Sequence, residues 1–314
     1  MSESRIVVIG GLNMDLHLFG IRPPAHDGPL VAEHHFLEPG GKGANLARAA
    51  ARLGARVSLV GRVGDDEFGR LCLASVDADG VDSSHVHPTP GEPTGFVAIE
   101  LREGRHHSIV FSSGANARLT WDDVGPALSG LGPQDMIVSP AELPVPVLEA
   151  TAREAIRRGI PFFLDPSPPR RVSRAVLGAA TVITPDRGEG EDLSGRSGTS
   201  HLAPLLAVRD MLAAGCDRVT LKLGEEGVIW GEPGRIERVP TLAVEARDET
   251  GAGDVFMAGL AVRRLEGAEW SVAIRFANAA SAMSVANTGL YLPTRAEVEK
   301  AVVGIPPGNE SLPH

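Results

Sequence analysis

Short apolar runs alternate with helical stretches along most of this 314-residue chain. The apolar runs predict buried parallel strands at Ile6–Ile9, Val57–Val60, Met136–Val138, Phe162–Leu164, Val182–Ile183 and Val219–Leu223. The stretches between them predict helices at Ala44–Leu53, Glu67–Asp77, Val145–Arg158 and His201–Ala214. This alternation is typical of an α/β, doubly wound fold, in which helices flank a mostly parallel sheet. Ligands of such folds bind at the carboxyl ends of the strands.

Two regions interrupt the alternation and contain no helical pattern. Residues near 15–38 and 95–112 carry shorter alternating patterns, such as Phe96–Leu101, which predict antiparallel strands outside the main sheet. We therefore expect one α/β domain over residues 1–304 with these strands inserted. Residues 305–314 are rich in proline and polar side chains, which predicts a flexible tail.

A glycine-rich turn, Thr250-Gly251-Ala252-Gly253-Asp254, precedes an apolar helical pattern. The first N–H groups of a helix lack partners, and with the helix dipole they form an anion site. An acid beside an anion site suits a base that takes the proton of a hydroxyl attacking phosphorus. The alternative for these five residues is an ordinary turn in which Asp254 caps the helix.

A second glycine-rich turn, Pro39–Asn45, opens the Ala-rich helix near the N-terminus. Lys42 and Asn45 lie three residues apart, so both can face one site at the helix start. Together they can donate and accept several hydrogen bonds, which suits a polyhydroxylated ligand. The turn is not a Walker A loop, because no serine or threonine follows the lysine.

Composition excludes several classes of function. The net charge of −10 and the low aromatic content argue against nucleic-acid binding. The ten histidines show no zinc-ligand spacing, and no apolar run has membrane-spanning length. Because no apolar run has this length, we expect no membrane contact. Cys72 and Cys216 are the only cysteines, so we expect a reducing, cytoplasmic location.

The two turns, in this order, resemble the signatures of the PfkB/ribokinase family of sugar and nucleoside kinases. Further segments resemble the family over about residues 5–300: Val8–Asp15, Gly114–Ala117, Leu221–Gly227 and Asp248–Asp254. The resemblance implies an ATP-dependent carbohydrate kinase with ATP as co-substrate and Mg²⁺, and in many members K⁺. It also implies a small β-lid over the sugar, which often serves as a homodimer surface.

The resemblance assigns roles to individual residues on the sugar side. Asp254 would be the catalytic base, with Gly251, Ala252 and Gly253 as the anion hole. The residues expected to bind the sugar are Asn13, Asp15, Gly41, Lys42, Asn45 and Glu142, together with Asp254.

The resemblance also assigns roles on the nucleotide side. The residues expected there are Asp186, Lys222, Gly224, Gly253 and Asn278. Glu189, with Asp186, would hold Mg²⁺ through water, although Asp186 replaces the asparagine of the family's N-x-x-E. Alternatively, these acids occupy an ordinary first helical turn, and Asn278 is a buried structural residue. A monovalent cation would lie among Asp248, Thr250, Ser284, Asn287 and Gly289.

The resemblance favours ribose, converted to ribose 5-phosphate, as the acceptor. Alternatives are another sugar of this family or a nucleoside, and an aromatic clamp from Phe19, Phe36 or Phe96 would favour the nucleoside. An alternative of another class is a sugar-binding regulatory pseudokinase. Asp186 is the only support for that alternative, and the intact Gly251–Asp254 turn opposes it.

Overall fold

A computed structural model describes residues 4–21, 28–102, 105–196, 202–306 and 308–312. The strands in this part of the chain are β1 (Arg5–Ile9), β2 (Asn13–Phe19), β3 (His34–Gly40), β4 (Arg56–Gly64), β5 (Asp82–Thr89), β6 (Gly95–Arg102), β7 (Arg105–Ser112), β8 (Met136–Pro140), β9 (Phe162–Asp165), β10 (Val182–Ile183), β11 (Val219–Lys222), β12 (Val228–Glu232), β13 (Arg235–Val239) and β14 (Glu310–Ser311). The helices are α1 (Lys42–Arg52), α2 (Glu67–Ala78), α3 (Trp121–Leu128), α4 (Val145–Arg158), α5 (Arg174–Ala179), α6 (Arg187–Ser194), α7 (Ala203–Ala213), α8 (Ala252–Leu265), α9 (Trp270–Val285) and α10 (Arg295–Ala301).

The main sheet has ten strands in the order β14-β13-β12-β11-β10-β9-β8-β1-β4-β5. Its strands from β11 through β5 run parallel, whereas β12, β13 and β14 are antiparallel. This confirms the predicted doubly wound α/β fold, and all six apolar runs belong to this sheet. The predicted helices match α1, α2, α4 and α7 to within a few residues, while His201 lies outside the described residues.

Two apolar layers cover the main sheet, one on each face. One layer includes residues of α1, α8 and α9, and the other includes residues of α3, α4 and α7. The strand side chains on both faces are therefore buried, which explains their continuous apolar sequences.

Four strands form a separate small sheet in the order β3-β2-β6-β7, which we call the lid sheet. The β2–β3 and β6–β7 pairs are antiparallel, and β2 and β6 run parallel. Asp15 and Glu38 are direct partners across β2 and β3, so both side chains lie on one face of the lid sheet. Residues 22–27 of the predicted lid region lie outside the described residues.

The C-terminal residues contribute to the main sheet. Glu310 and Ser311 form β14 and pair with Arg238 and Glu237 of β13, and Ile305 packs in the core with 3% exposure. The sequence predicts a flexible tail over 305–314, whereas its described part is attached to an edge strand. Residues 307, 313 and 314 lie outside the description.

Among the described residues, none of the helices combines the length and the apolar character that crossing a membrane requires.

Gly43 in α1 packs closely on Gly10, which follows β1, whereas Gly178 in α5 has open space beside it. We therefore expect opposite effects when these two helical glycines are changed to alanine. Alanine normally stabilises a helix by about 0.5–1 kcal/mol relative to glycine. A Cβ on Gly43 would lie 2.4 Å from the Gly10 carbonyl carbon, whereas a Cβ on Gly178 would have no neighbour within 4 Å. We expect Gly43→Ala to lower the free energy of unfolding by about 1–3 kcal/mol, and Gly178→Ala to leave it unchanged or raise it. Urea unfolding tests this, and equal stability of the two variants would contradict it.

Candidate active site

Asp254 lies in the first turn of α8, immediately after the glycine turn. Gly251 is the N-cap residue and adopts a left-handed φ of 72°. Asp254 is only 4% exposed, and its carboxylate accepts a 3.0 Å hydrogen bond from the Asn45 side chain. The Lys42 ammonium lies 3.5 Å from its other oxygen. Burial raises the pKa of Asp254, against the opposing effects of Lys42 and Asn45. The two glycine-rich turns therefore converge on one carboxylate.

Asp165 is a member of this cluster that the sequence analysis did not identify. It ends β9, is 2% exposed, and accepts a 3.0 Å hydrogen bond from Lys42. The Lys222 ammonium lies 3.9 Å from its other carboxylate oxygen. Burial alone would raise the pKa of Asp165, but Lys42 and Lys222 hold it below its usual value. Its position directly after the apolar run Phe162–Leu164 was the available signal, because parallel strands present ligands at their carboxyl ends.

The charge of Lys42 is fixed by its acidic neighbours. Burial disfavours the ammonium, but Asp165 and Asp254 outweigh it and raise the pKa of Lys42. Lys42, predicted to bind the sugar, is thus also the cation that links two buried carboxylates.

Asp15 lies on β2, against the glycine-rich turn Pro39–Asn45. A Cβ on Gly40 would lie 2.0 Å from Asp15 Oδ2, so the chain can cross this carboxylate only with glycine there. Asp15 Oδ1 is buried without a hydrogen-bond partner among the described residues. Burial is the main cause that raises the pKa of Asp15 to about 7; Glu38 also raises it, whereas His17 and the Gly41 N–H group lower it.

Asn13 is held by a second asparagine. The Asn116 side chain donates to Asn13 Oδ1 at 2.9 Å and to the Leu12 carbonyl at 3.0 Å. It also accepts a hydrogen bond from the Leu12 N–H group. Asn116 belongs to the segment Gly114–Ala117 that the sequence analysis singled out without giving this residue a role. The structure shows that it orients Asn13.

Glu142 follows β8 and borders a cavity of about 270 Å³ that Gly10, Gly11, Asn116 and Arg171 also line. Burial raises the pKa of Glu142 to about 7; Asp254 contributes to this rise and Lys42 opposes it. Arg171 fixes the main chain here by donating to the carbonyls of Glu142 and Leu143.

Two of the residues predicted to bind nucleotide, Lys222 and Gly253, are neighbours at the start of α8. A Cβ on Gly253 would lie 3.3 Å from Lys222 Nζ, so this ammonium lies against the start of α8. Gly224 opens a short turn with a φ of 60° and has open space above it. The Asn278 side chain instead donates to the main-chain carbonyls of Pro240 and Val239, at 2.9 and 3.4 Å. Its observed contacts are therefore structural.

Asp186 and Glu189 cap α6 reciprocally. The Asp186 carboxylate accepts from the Glu189 N–H group at 2.8 Å, and the Glu189 carboxylate accepts from the Asp186 N–H group at 2.9 Å. Asp186 is exposed and Glu189 is half-buried. Burial raises the pKa of Glu189, and the nearby carboxylates of Asp165 and Asp186 add to this rise. Each acid keeps a second oxygen outside the capping box.

Asp248 joins two loops beside the anion-hole turn. It is 1% exposed, and its two oxygens accept from the N–H groups of Thr250 and Gly289, each at 2.9 Å. Ser284 Oγ is buried without a hydrogen-bond partner among the described residues, and the Asn287 side chain donates to the Met283 carbonyl. In the described part of the chain, His, Cys, Asp and Glu nowhere form a group of three suited to a metal ion.

Comparisons with known proteins identify relatives of this chain. The family model described as pfkB family carbohydrate kinase matches residues 3–297. The chain is 35% identical over 302 residues to the ribokinase of Bacillus subtilis (strain 168), covering 94% of this chain and 98% of the relative. It is 32% identical over 295 residues to the ribokinase of Haemophilus influenzae, covering 93% and 96%. The structure of Arabidopsis thaliana ribokinase complexed with ribose and ATP superposes with a TM-score of 0.83 at 27% identity, covering 95% and 98%.

The raised pKa of Glu142 predicts a pH-dependent cost of burying its carboxylate. A carboxyl group with a raised folded pKa stabilises the fold at pH values below its unfolded pKa, and this contribution is lost as pH rises through the folded pKa of about 7. We therefore expect Glu142→Gln to raise the free energy of unfolding by about 1–3 kcal/mol at pH 8 and by less at pH 5. Urea unfolding at both pH values, with exposed Glu225→Gln as control, tests this. A pH-independent difference for Glu142→Gln would contradict it.

Proposed function

The chain belongs to the pfkB family of carbohydrate kinases and is an ATP-dependent, ribokinase-type sugar kinase; we propose that its acceptor is ribose, converted to ribose 5-phosphate. The observation that carries this proposal is the convergence of Asn45, Lys42 and Asp254 at the start of α8. Lys42 and Asn45 can bind hydroxyl groups, and Asp254 is a buried acid at a helix N-terminus. This combination supports phosphorylation of an alcohol.

Asp254 is proposed as the general base. A hydroxyl of the bound sugar would donate its proton to Asp254 as its oxygen forms a bond to the γ-phosphorus of ATP. The bond from that phosphorus to the bridging oxygen would break, and ADP would leave. The N–H groups of Gly251, Ala252 and Gly253 would bind the oxygens of the transferring group, because the first N–H groups of a helix lack partners within it. In the present structure the Ala252 N–H group donates to the Glu249 carbonyl at 3.2 Å, a bond that the phosphoryl oxygens would replace.

Asn13, Asp15, Gly41, Lys42, Asn45 and Glu142 are proposed to hold the sugar. The support is Asp15, whose Oδ1 is buried without a hydrogen-bond partner among the described residues. Ionised, this carboxylate accepts hydrogen bonds from neighbouring hydroxyls, and such charge-assisted bonds are strong.

Lys222, Gly224 and Gly253, with Asp186 and Asn278, are proposed to face the nucleotide. The Lys222 ammonium beside α8 would offset phosphate charge. For Asn278 the role would be indirect, since its amide holds the main chain at Val239 and Pro240.

Glu189 and Asp186 are proposed to hold Mg²⁺ through water. They fit a cation because each carboxylate uses only one oxygen in the capping box of α6, which leaves the other oxygen of each acid for a ligand. When bound, Mg²⁺ would neutralise phosphate charge on ATP. K⁺ is proposed at Asp248, Thr250, Ser284, Asn287 and Gly289, where the buried, unpartnered Ser284 Oγ fits an oxygen ligand.

A nucleoside or another sugar is the alternative acceptor. The cavity beside Glu142 favours this alternative, because it offers about 270 Å³ next to one of the proposed sugar residues. The candidate aromatic clamp is engaged within the protein, since Phe36 stacks on His17 and Phe96 on Phe68. A regulatory pseudokinase is opposed by the complete cluster around Asp254.

A coupled ADP-release assay with ribose, adenosine, fructose and 2-keto-3-deoxygluconate tests the proposal. The highest kcat/KM with ribose is the expected result. A clear preference for adenosine would establish the alternative, and no turnover with any acceptor would overturn kinase activity on this set of substrates.

We also propose a homodimer formed through the lid sheet. Leu16, Leu18, Leu37, Phe68 and Phe96 line an open apolar groove, and Leu37 is 49% exposed. Contiguous exposed apolar surface of this kind marks interaction sites. The proposed compartment is the reducing cytoplasm, as both cysteines are free, buried thiols.

Removing the base predicts a loss of turnover with binding preserved. In Asp254→Asn the amide keeps the shape of the carboxylate but cannot accept the proton. We expect kcat to fall by about a hundredfold or more, with sugar and ATP affinities within about threefold of wild type by calorimetry. Asp122→Asn, which changes an exposed acid in the first turn of α3, is the matched control. Turnover near that of wild type in Asp254→Asn would remove Asp254 as the base.

Asp186 predicts a change in metal dependence. Asp186→Asn loses a negative charge but keeps an oxygen that can accept the capping hydrogen bond from Glu189. We expect the variant to fold normally and to need about threefold to tenfold more Mg²⁺ for half-maximal activity, because a carboxylate binds this ion more strongly than an amide. Superimposable Mg²⁺ titrations of variant and wild type would exclude Asp186 from the metal site.

The lid-sheet groove predicts a change in oligomeric state. We expect wild-type protein to sediment as a dimer at micromolar concentration and Leu37→Asp as a monomer, because the charge would be buried in the apolar interface. Val303→Asp, at an 83% exposed position outside the lid sheet, is the control and should remain dimeric. A wild-type monomer would refute the proposed interface.

A further inference from the structure

Glu38 carries a set of contacts that sugar binding and proton transfer do not explain. It lies on β3 directly opposite Asp15, so two carboxylates face each other across the lid sheet. Like charges in this position destabilise a strand pair unless other groups offset them. His17 Nε2 lies 2.9 Å from Glu38 Oε1, and the Leu290 N–H group donates to the same oxygen at 3.2 Å. Glu38 therefore turns from its strand partner toward a loop of the main domain.

The same loop is also bound by Asp248, on the side of the main domain. The residue before Leu290, Gly289, donates its N–H group to one oxygen of Asp248, whose other oxygen accepts from Thr250. Residues 289–290 are thus held between a lid carboxylate and a buried carboxylate at the start of the anion-hole turn.

The Leu290 side chain completes the connection. A Cβ on Gly251 would lie 2.4 Å from Leu290 Cδ1, so this side chain packs directly on the N-cap residue of α8. A shift of Leu290 would therefore displace Gly251, and with it the main chain of the anion-hole turn that precedes Asp254. Packed interiors transmit such displacements because they contain little free volume.

We propose that Glu38 is a positioning residue that links the lid sheet to the anion-hole turn through Gly289 and Leu290. This inference rests on the proposed function, since it concerns the same anion hole. Strand β3 also leads into Gly40 and Gly41 beside Asp15, so the strand that lines the sugar site holds the loop that supports the phosphoryl site. The position of the sugar-binding residues and the position of the anion-hole turn would then depend on each other.

Hydrogen exchange on the substrate-free protein tests the link independently of catalysis. We expect Glu38→Ala to speed amide exchange about tenfold in peptides over 286–292 and also over 248–254. Glu38→Gln keeps an oxygen that can accept from Leu290, so it should retain most of the protection. Glu100→Ala is the matched control, because Glu100 accepts a hydrogen bond from Ser108 within the lid sheet, and it should leave both segments unchanged. Faster exchange confined to 286–292, or the same response in Glu100→Ala, would overturn the link.

Steady-state kinetics provide the second readout. We expect kcat with the best acceptor to fall about tenfold in Glu38→Ala, with Glu38→Gln closer to wild type and the melting temperatures of both near that of wild type. The loss in Glu38→Ala with Leu290→Ala should not exceed the larger single loss, because both changes interrupt one connection. Fully additive losses would contradict the link. Wild-type inactivity on every acceptor would count against the proposed function, whereas the exchange data would still decide the role of Glu38.

Discussion

The ion pair between Lys42 and Asp165 is the interaction on which the rest of the site depends. It joins the start of α1 to the end of β9 at 3.0 Å, with Asp165 almost fully buried. Without Lys42, the carboxylates of Asp165, Asp254 and Glu142 would share a poorly solvated site with little compensation. Buried ion pairs usually add little net stability, but loss of one partner is costly because the other charge stays buried. Lys42 therefore makes a cluster of acids possible at this point of the fold.

The pKa values of these acids are shifted in opposite directions, and Lys42 contributes to the difference. Asp165, with two lysines nearby, has a lowered pKa. Asp254 and Glu142 have raised pKa values, because burial outweighs the opposing charges of Lys42 and Lys222 at Asp254 and of Lys42 at Glu142. Titratable neighbours with pKa values pushed apart are typical of groups with different chemical tasks. Asp165 is suited to remain a fixed negative charge, and Asp254 is suited to take a proton.

The sequence predicted the main sheet well because parallel strands buried on both faces leave continuous apolar runs. The two glycine-rich turns also predicted that Lys42, Asn45 and Asp254 share one site, and these side chains are in contact in the structure. Asp165 was not predicted as a site residue, because it lies between the predicted strand and the proline-rich loop Pro166–Pro169 and belongs to no recognised motif. Strand β14 could not be predicted, since two polar residues carry no periodicity and pair only because β13 leaves an open edge. The contacts of Glu38 and Asn278 depend on loops distant in sequence, which local patterns do not encode.

An acid beside an anion hole remains compatible with phosphoryl transfer only if the surrounding charge is balanced. Burial already favours the neutral form of Asp254, and the phosphates of ATP would add negative charge nearby and favour that form further. Lys42 and Lys222 supply the opposing field, and both lie near Asp165 rather than in open solvent. Under the proposed function, Asp165 would have two opposing effects on Asp254: its own charge raises the pKa of Asp254, whereas the two lysines that it holds nearby lower that pKa.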